Sequence, residues 1–144
     1  MRRAAVLLAA LAVLALAAGV AQASVVPGIY IGKTSQSSDI SFTVIRSKKF
    51  VTELQIDRIR LKCPDGAHVA IQDEAFAPIR LNASKGTFAG TLEGETGRLH
   101  VRGRIRGAKA RGSLNGTVRV NDEHRLDPNG DIRCSSGDLS WTAK

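Results

Sequence analysis

Between Arg98 and Arg111 the chain carries six cations (Arg98, Arg102, Arg104, Arg106, Lys109 and Arg111) and no acid. A guanidinium is planar, permanently charged and presents its N–H donors as a rigid fork, so a row of them suits repeating anions such as phosphate or sulfate. His100, Arg102, Arg104 and Arg106 alternate with Leu99, Val101 and Ile105, which places the four polar side chains on one face of a strand. Arg58, Arg60 and Lys62 make a second row on another strand. The chemistry this suggests is the binding of an anion. The plainer reading is a solvated strand face whose charges discourage edge-to-edge association.

Other chemistries find less support. His68, His100 and His124 have no metal-ligand spacing, and no Gly-x-Ser-x-Gly elbow is present. Asp73-Glu74 and the Glu93/Glu95 pair read as hydrated carboxylates, not as a glycosidase couple. Asp127, Asn129, Asp131 and Asp138 fall at calcium-loop intervals, but Ile132 stands where such a loop needs Gly, so a turn is expected. Asn82-Ala83-Ser84 and Asn115-Gly116-Thr117 match glycosylation sequons, which matter only in a host that reads them. The expectation is therefore a protein that is not an enzyme, with no cofactor and no metal. Nucleic acid is disfavoured as a partner. Tyr30, Phe42, Phe50, Phe76, Phe88 and Trp141 sit mostly at core parity, whereas single-strand binders expose aromatic platforms.

Nearly every segment after Pro27 alternates with period two and is soon broken by turn residues. Ile40, Phe42 and Val44 share one face, as do Leu114, Val118 and Val120. Breaks fall at Ser35–Ser38, Cys63–Gly66, Ala83–Gly86, Gly94–Gly97, Gly107–Ala110 and Asp127–Asp131. The reading is an all-β chain of nine or ten short strands, a single antiparallel meander closing into a small barrel or roll. Three Gly-x-apolar-x-Gly runs (Gly86–Gly90, Gly103–Gly107, Gly112–Gly116) put small and large residues on the same face, as a narrow closed interior requires. Gly86 and Gly107 also suit strand ends. Leu54 and Ile56 differ in parity from Ile59 and Leu61, which predicts a β-bulge near Asp57-Arg58, a tight turn being the other option and disfavoured because no Gly, Pro or Asn marks one. A hairpin that aligns Ile105 with Gly112 would set Arg104 against Ser113 and Arg106 beside Arg111. Trp141 is expected in the core, near a disulfide.

Arg2 and Arg3, the apolar run Ala4 to Val20 and the small-x-small sequence Ala21-Gln22-Ala23 read as a signal peptide, residues 1–23, cleaved near Ala23. The remaining 24–144 would form one β-domain with no transmembrane segment. Removing Arg2 and Arg3 from the 21 Lys and Arg leaves 19 against 13 Asp and Glu, a net charge of +6 that favours anionic partners. In an oxidising compartment Cys63 and Cys134 most simply form one disulfide, a cross-link of roughly 4 kcal/mol in the chain-entropy view.

Gly28-Ile29-Tyr30-Ile31-Gly32, Thr34-Ser35-Gln36, the mid-chain Cys63 and Cys134-Ser135-Ser136-Gly137 leading to Trp141-Thr142-Ala143 carry a resemblance. The chain resembles small, uncharacterised, secreted β-rich proteins of high-GC Gram-positive bacteria. That likeness implies export and a β fold, and it carries no activity or site residue with it. The opening Gly28-Ile29-Tyr30 is also similar to the Gly-x-Trp opening of lipocalin- and avidin-like barrels, with Tyr30 in the place of the Trp. The reading of function is a secreted, extracellular or cell-wall-associated binding module that contacts an anionic cell-surface polymer through its Arg-rich strand faces. A calycin-like small-ligand carrier or a protease inhibitor is the alternative, and a hydrolase stands behind both.

Overall fold

The structure, a computed structural model, describes residues 23–144. Apart from Ala23, the expected signal segment lies outside the described residues. Ten strands make up one antiparallel sheet, and no helix occurs among the described residues: β1 Gly28–Thr34, β2 Asp39–Val44, β3 Phe50–Lys62, β4 His68–Ala75, β5 Ile79–Asn82, β6 Thr87–Glu93, β7 Gly97–Arg106, β8 Lys109–Val120, β9 Ile132–Ser135 and β10 Leu139–Ala143. The all-β expectation and the strand count are both met.

Hydrogen bonding closes the sheet on itself. The order runs β10-β1-β2-β3-β5-β6-β7-β8, and β8 pairs back onto β10, so eight strands form a ring. The connectivity is not a plain meander, because β3 is 13 residues long and takes different partners along its length. Its first half pairs with β2 and, at Phe50 and Val51, with β5. From Gln55 to Lys62 it pairs with β4, which stands outside the ring.

Alternation drives closure. Ile40, Phe42, Val44, Leu99, Val101, Leu114, Val120 and Trp141 all point inward and are buried. Tyr30 stacks on Phe42 at 4.9 Å between ring centroids, and Phe42 lies 5.6 Å from Phe88 and 5.8 Å from Trp141. The glycines explain how so large a group fits. Gly103 and Gly112 are cross-strand partners on β7 and β8. A Cβ on Gly112 would lie 2.5 Å from Trp141 Cζ2, and one on Gly103 would meet the Phe88 ring and come within 2.8 Å of Trp141 Cζ2. Small residues there are the space that the indole and phenyl rings occupy.

Cys63 and Cys134 form the expected disulfide across 71 residues, tying the end of β3 to β9. Trp141 is not beside it. Trp141 pairs with Gly112 and Cys134 with Val118, six residues apart on β8, which is about 20 Å of strand. Aromatic volume gathers where the glycines are, away from the cross-link.

The parity change in β3 also differs from expectation. Ile56 and Ile59 are both buried, yet the register with β4 does not slip: Ile56 faces Glu74 and Ile59 faces Ile71. Both strands change phase together around Asp57 and Asp73, the latter at φ 54°. The register shift lies instead against β2, between Ser41 and Thr43, where Glu53 takes φ 52°. One residue in the left-handed region there lets Val51 and Leu54 both face the core.

Candidate functional site

The β7–β8 hairpin sets the geometry of the cationic face. Its turn is the two-residue Gly107-Ala108, with Gly107 at φ 60°, a conformation that glycine adopts without steric cost. Ile105 therefore pairs with Ala110, not Gly112. The shift of two residues from the expected register sets Arg104 directly opposite Arg111 and Arg106 opposite Lys109. Like charges face each other twice, an arrangement that disfavours the hairpin unless an anion or solvent screens it.

Closure of the ring brings in β10 and β1. Thr142 pairs with both Arg111 and Lys33, so Lys33, Thr142, Arg111 and Arg104 lie in one row across four strands. In the next row the Lys109 strand position adjoins Lys144, whose N–H donates to the Ile31 carbonyl at 3.1 Å. The outward residues of β10 are small, Ser140 and Thr142, while those of its neighbours are long. The difference in length makes a groove of about 680 Å³ with Thr142 on its floor and Lys33, Arg104, Arg106, Lys109, Arg111 and Lys144 around it. An adjoining depression continues along β7 and β8 to Arg102 and Ser113.

The polar contacts separate the cations into two kinds. Among the described residues Arg104, Arg106, Lys109 and Arg111 make no salt bridge, and Arg104 Nε is buried with no hydrogen-bond partner. Lys33 pairs with Asp39 at 2.6 Å on the groove rim. Arg98 lies outside this group: it is held by Glu93 at 3.1 Å across β6 and β7. Arg102 donates from Nε to His100 Nε2 at 3.1 Å, while His100 Nδ1 lies 2.9 Å from Thr91 Oγ1. His100 thus bridges the Arg102 guanidinium on its own strand and the Thr91 hydroxyl on β6.

Arg58, Arg60 and Lys62 line β3, on another part of the ring, and none contributes to the groove. Gln36 occupies the backbone edge at Arg60, donating to its carbonyl at 2.9 Å and accepting from its N–H at 2.8 Å. The structure thus keeps apart the two cationic rows read from the sequence. It adds Lys33 and Lys144, which sequence reasoning missed. The outward parity of Lys33 was readable in Ile29-Tyr30-Ile31-Gly32-Lys33, but the β1–β10 pairing that brings it alongside was not.

A second polar cluster lies near the disulfide. His124, at φ 59° and with its side chain 31% exposed, has Nε2 2.6 Å from Asp65 Oδ2. Cys63 Sγ is close to both but is bonded to Cys134, which leaves a carboxylate–imidazole pair without a thiolate. The Ala67 N–H, donating to Asp65 Oδ1, holds the Asp65 carboxyl below its ordinary pKa, and His124 adds to the effect. Asp127 accepts from the Asn129 N–H at 2.9 Å, so the calcium-like segment forms an Asx turn.

No protein-family model matches this chain, and no curated protein or solved structure shows significant similarity to it.

Proposed function

We propose that the protein is a secreted, non-enzymatic binding module whose groove takes the anionic groups of a cell-envelope polymer or surface. The observation that carries this reading is the quartet Arg104, Arg106, Lys109 and Arg111. The four face one another in register, make no ion pair among the described residues, and include a guanidinium nitrogen that is buried and unsatisfied. A merely solvated face has no need of such pairing; a multivalent anion supplies acceptors to several of these donors at once. Along each strand the spacing of alternate residues is roughly 6.7 Å, a reach that suits successive phosphate or sulfate groups.

Export is supported by the basic, apolar and small-x-small start of the sequence, by the resemblance to secreted β-rich proteins, and by the disulfide. The carrier alternative needs an open interior, whereas Phe42, Phe88, Trp141, Leu54 and Ile56 fill this one.

Retention on a heparin column tests the proposal. A variant with Arg104, Arg106, Lys109 and Arg111 all replaced by Ser is expected to elute at clearly lower salt. A variant with Arg58, Arg60 and Lys62 replaced by Ser, one cation fewer, is expected to move much less. Equal loss per charge removed in both variants would show that retention follows net charge and not the groove, and would contradict the proposal.

A further inference from the structure

We infer that the anionic surface met by the groove is a phospholipid bilayer, because the same face presents exposed isoleucines beside the cations; the inference rests on the anion-binding reading above. Among the described residues four large apolar side chains are exposed, Ile29 (71%), Ile31 (62%), Leu126 (45%) and Val26 (44%), and the two most exposed are neighbours on one strand. Both lie on the outward face of β1, on either side of buried Tyr30. Ile31 lines the groove itself with Arg106, Lys109 and Lys144, and its N–H donates to the Lys144 carbonyl at 3.2 Å. Val26, 44% exposed, lies at the hairpin turn, where its N–H donates to the Gly107 carbonyl at 3.2 Å.

The arrangement is amphipathic across the strands. On the β10 and β8 side of the isoleucines stand Lys144, Lys109, Arg106 and Arg111; on the β2 side stand Ser41 and Thr43, and Thr43 donates to the Glu53 carboxylate at 2.8 Å. The Asp39 carboxylate beside the groove is paired with Lys33. A hydrophilic polyanion would pair with the cations and leave the isoleucines in water. A bilayer engages both: headgroup phosphates take the guanidinium and ammonium groups, while isoleucine side chains reach the acyl boundary. No helix among the described residues is long and apolar enough to cross a membrane, and the attachment inferred is peripheral, through this strand face.

Co-sedimentation with vesicles tests this. The full protein is expected to sediment with phosphatidylglycerol–phosphatidylcholine vesicles and not with phosphatidylcholine alone. Each groove cation removed should weaken binding roughly fivefold. The variant Ile29→Ser, at an isoleucine outside the groove lining, should weaken it about tenfold, given the transfer free energy of an aliphatic side chain, with heparin retention unchanged. Ile29 is exposed, so the variant keeps the core, and an unchanged near-ultraviolet dichroism of Trp141 would verify that. Vesicle binding insensitive to the isoleucine variant, or heparin retention without any vesicle binding, would overturn the lipid inference and leave the anion-binding reading standing. Loss of both activities in the unmodified protein would end both.

Discussion

At the scale of single residues, the fold depends on a few side chains whose contacts admit little substitution. The Tyr30 hydroxyl lies 2.7 Å from the Val26 carbonyl and 3.0 Å from the Gly107 carbonyl, tying the segment before β1 to the hairpin that carries the cations. Burial pushes this phenol above its ordinary pKa. Tyr30→Phe keeps the stack on Phe42 but removes the tie, and is expected to lower unfolding free energy by about 1 kcal/mol in urea titration. Gly112→Ala puts a methyl into space held by the Trp141 indole and the Arg102 carbonyl; overpacking of this kind costs roughly 1–3 kcal/mol. Asp65 yields a pH prediction. Its carboxyl is held low in the folded state by the Ala67 N–H and then by His124. Its stabilising contribution is therefore complete above the unfolded carboxylate value of about 3.9 and is lost as pH falls through that value toward the folded one. Unfolding followed by dichroism from neutral to acid pH should show a shallower acid-side loss for Asp65→Asn than for the native protein.

At the scale of the strand, local pattern and long-range pairing separate cleanly. Period-two alternation in Ile40–Val44 and Leu114–Val120 reveals strands and their inward faces, because parity is a local property of the backbone. The outward positions of Arg102, Arg104 and Arg106 are legible for the same reason. Register is not local. Gly107–Ala110 reads equally well as a four-residue connection, and the choice of a two-residue turn at Gly107-Ala108 moves Arg106 from Arg111 to Lys109. Nor does parity show that a 13-residue β3 bears both β4 and β5 along its length, or that β10 inserts between β1 and β8. Lys33 and Lys144 joined the site only through that closure. The observed register carries its own prediction. Because Arg104 faces Arg111 and Arg106 faces Lys109, each pair opposes folding by a few tenths to about 1 kcal/mol. Arg104→Ser should raise the melting temperature at low ionic strength, and the gain should shrink as salt screens the native pair.

At the scale of the whole molecule, one disulfide and one ring hold a cationic groove on a filled interior. Reduction releases a cross-link spanning 71 residues and should lower unfolding free energy by about 4 kcal/mol, read as a drop in the urea midpoint after treatment with a phosphine. The anion site and the core are separable, since the groove lies on the outward face and the aromatic cluster within. Ligand binding should then stabilise the fold without rearranging it. The most direct test is amide-resolved NMR during titration with inorganic tripolyphosphate. Shifts confined to Lys33, Thr142, Lys144 and the segment from Arg104 to Arg111, with Arg58 to Lys62 unmoved, are the predicted result. Shifts spread over every surface Lys and Arg alike, or centred on β3, would contradict the assignment of the groove as the binding site.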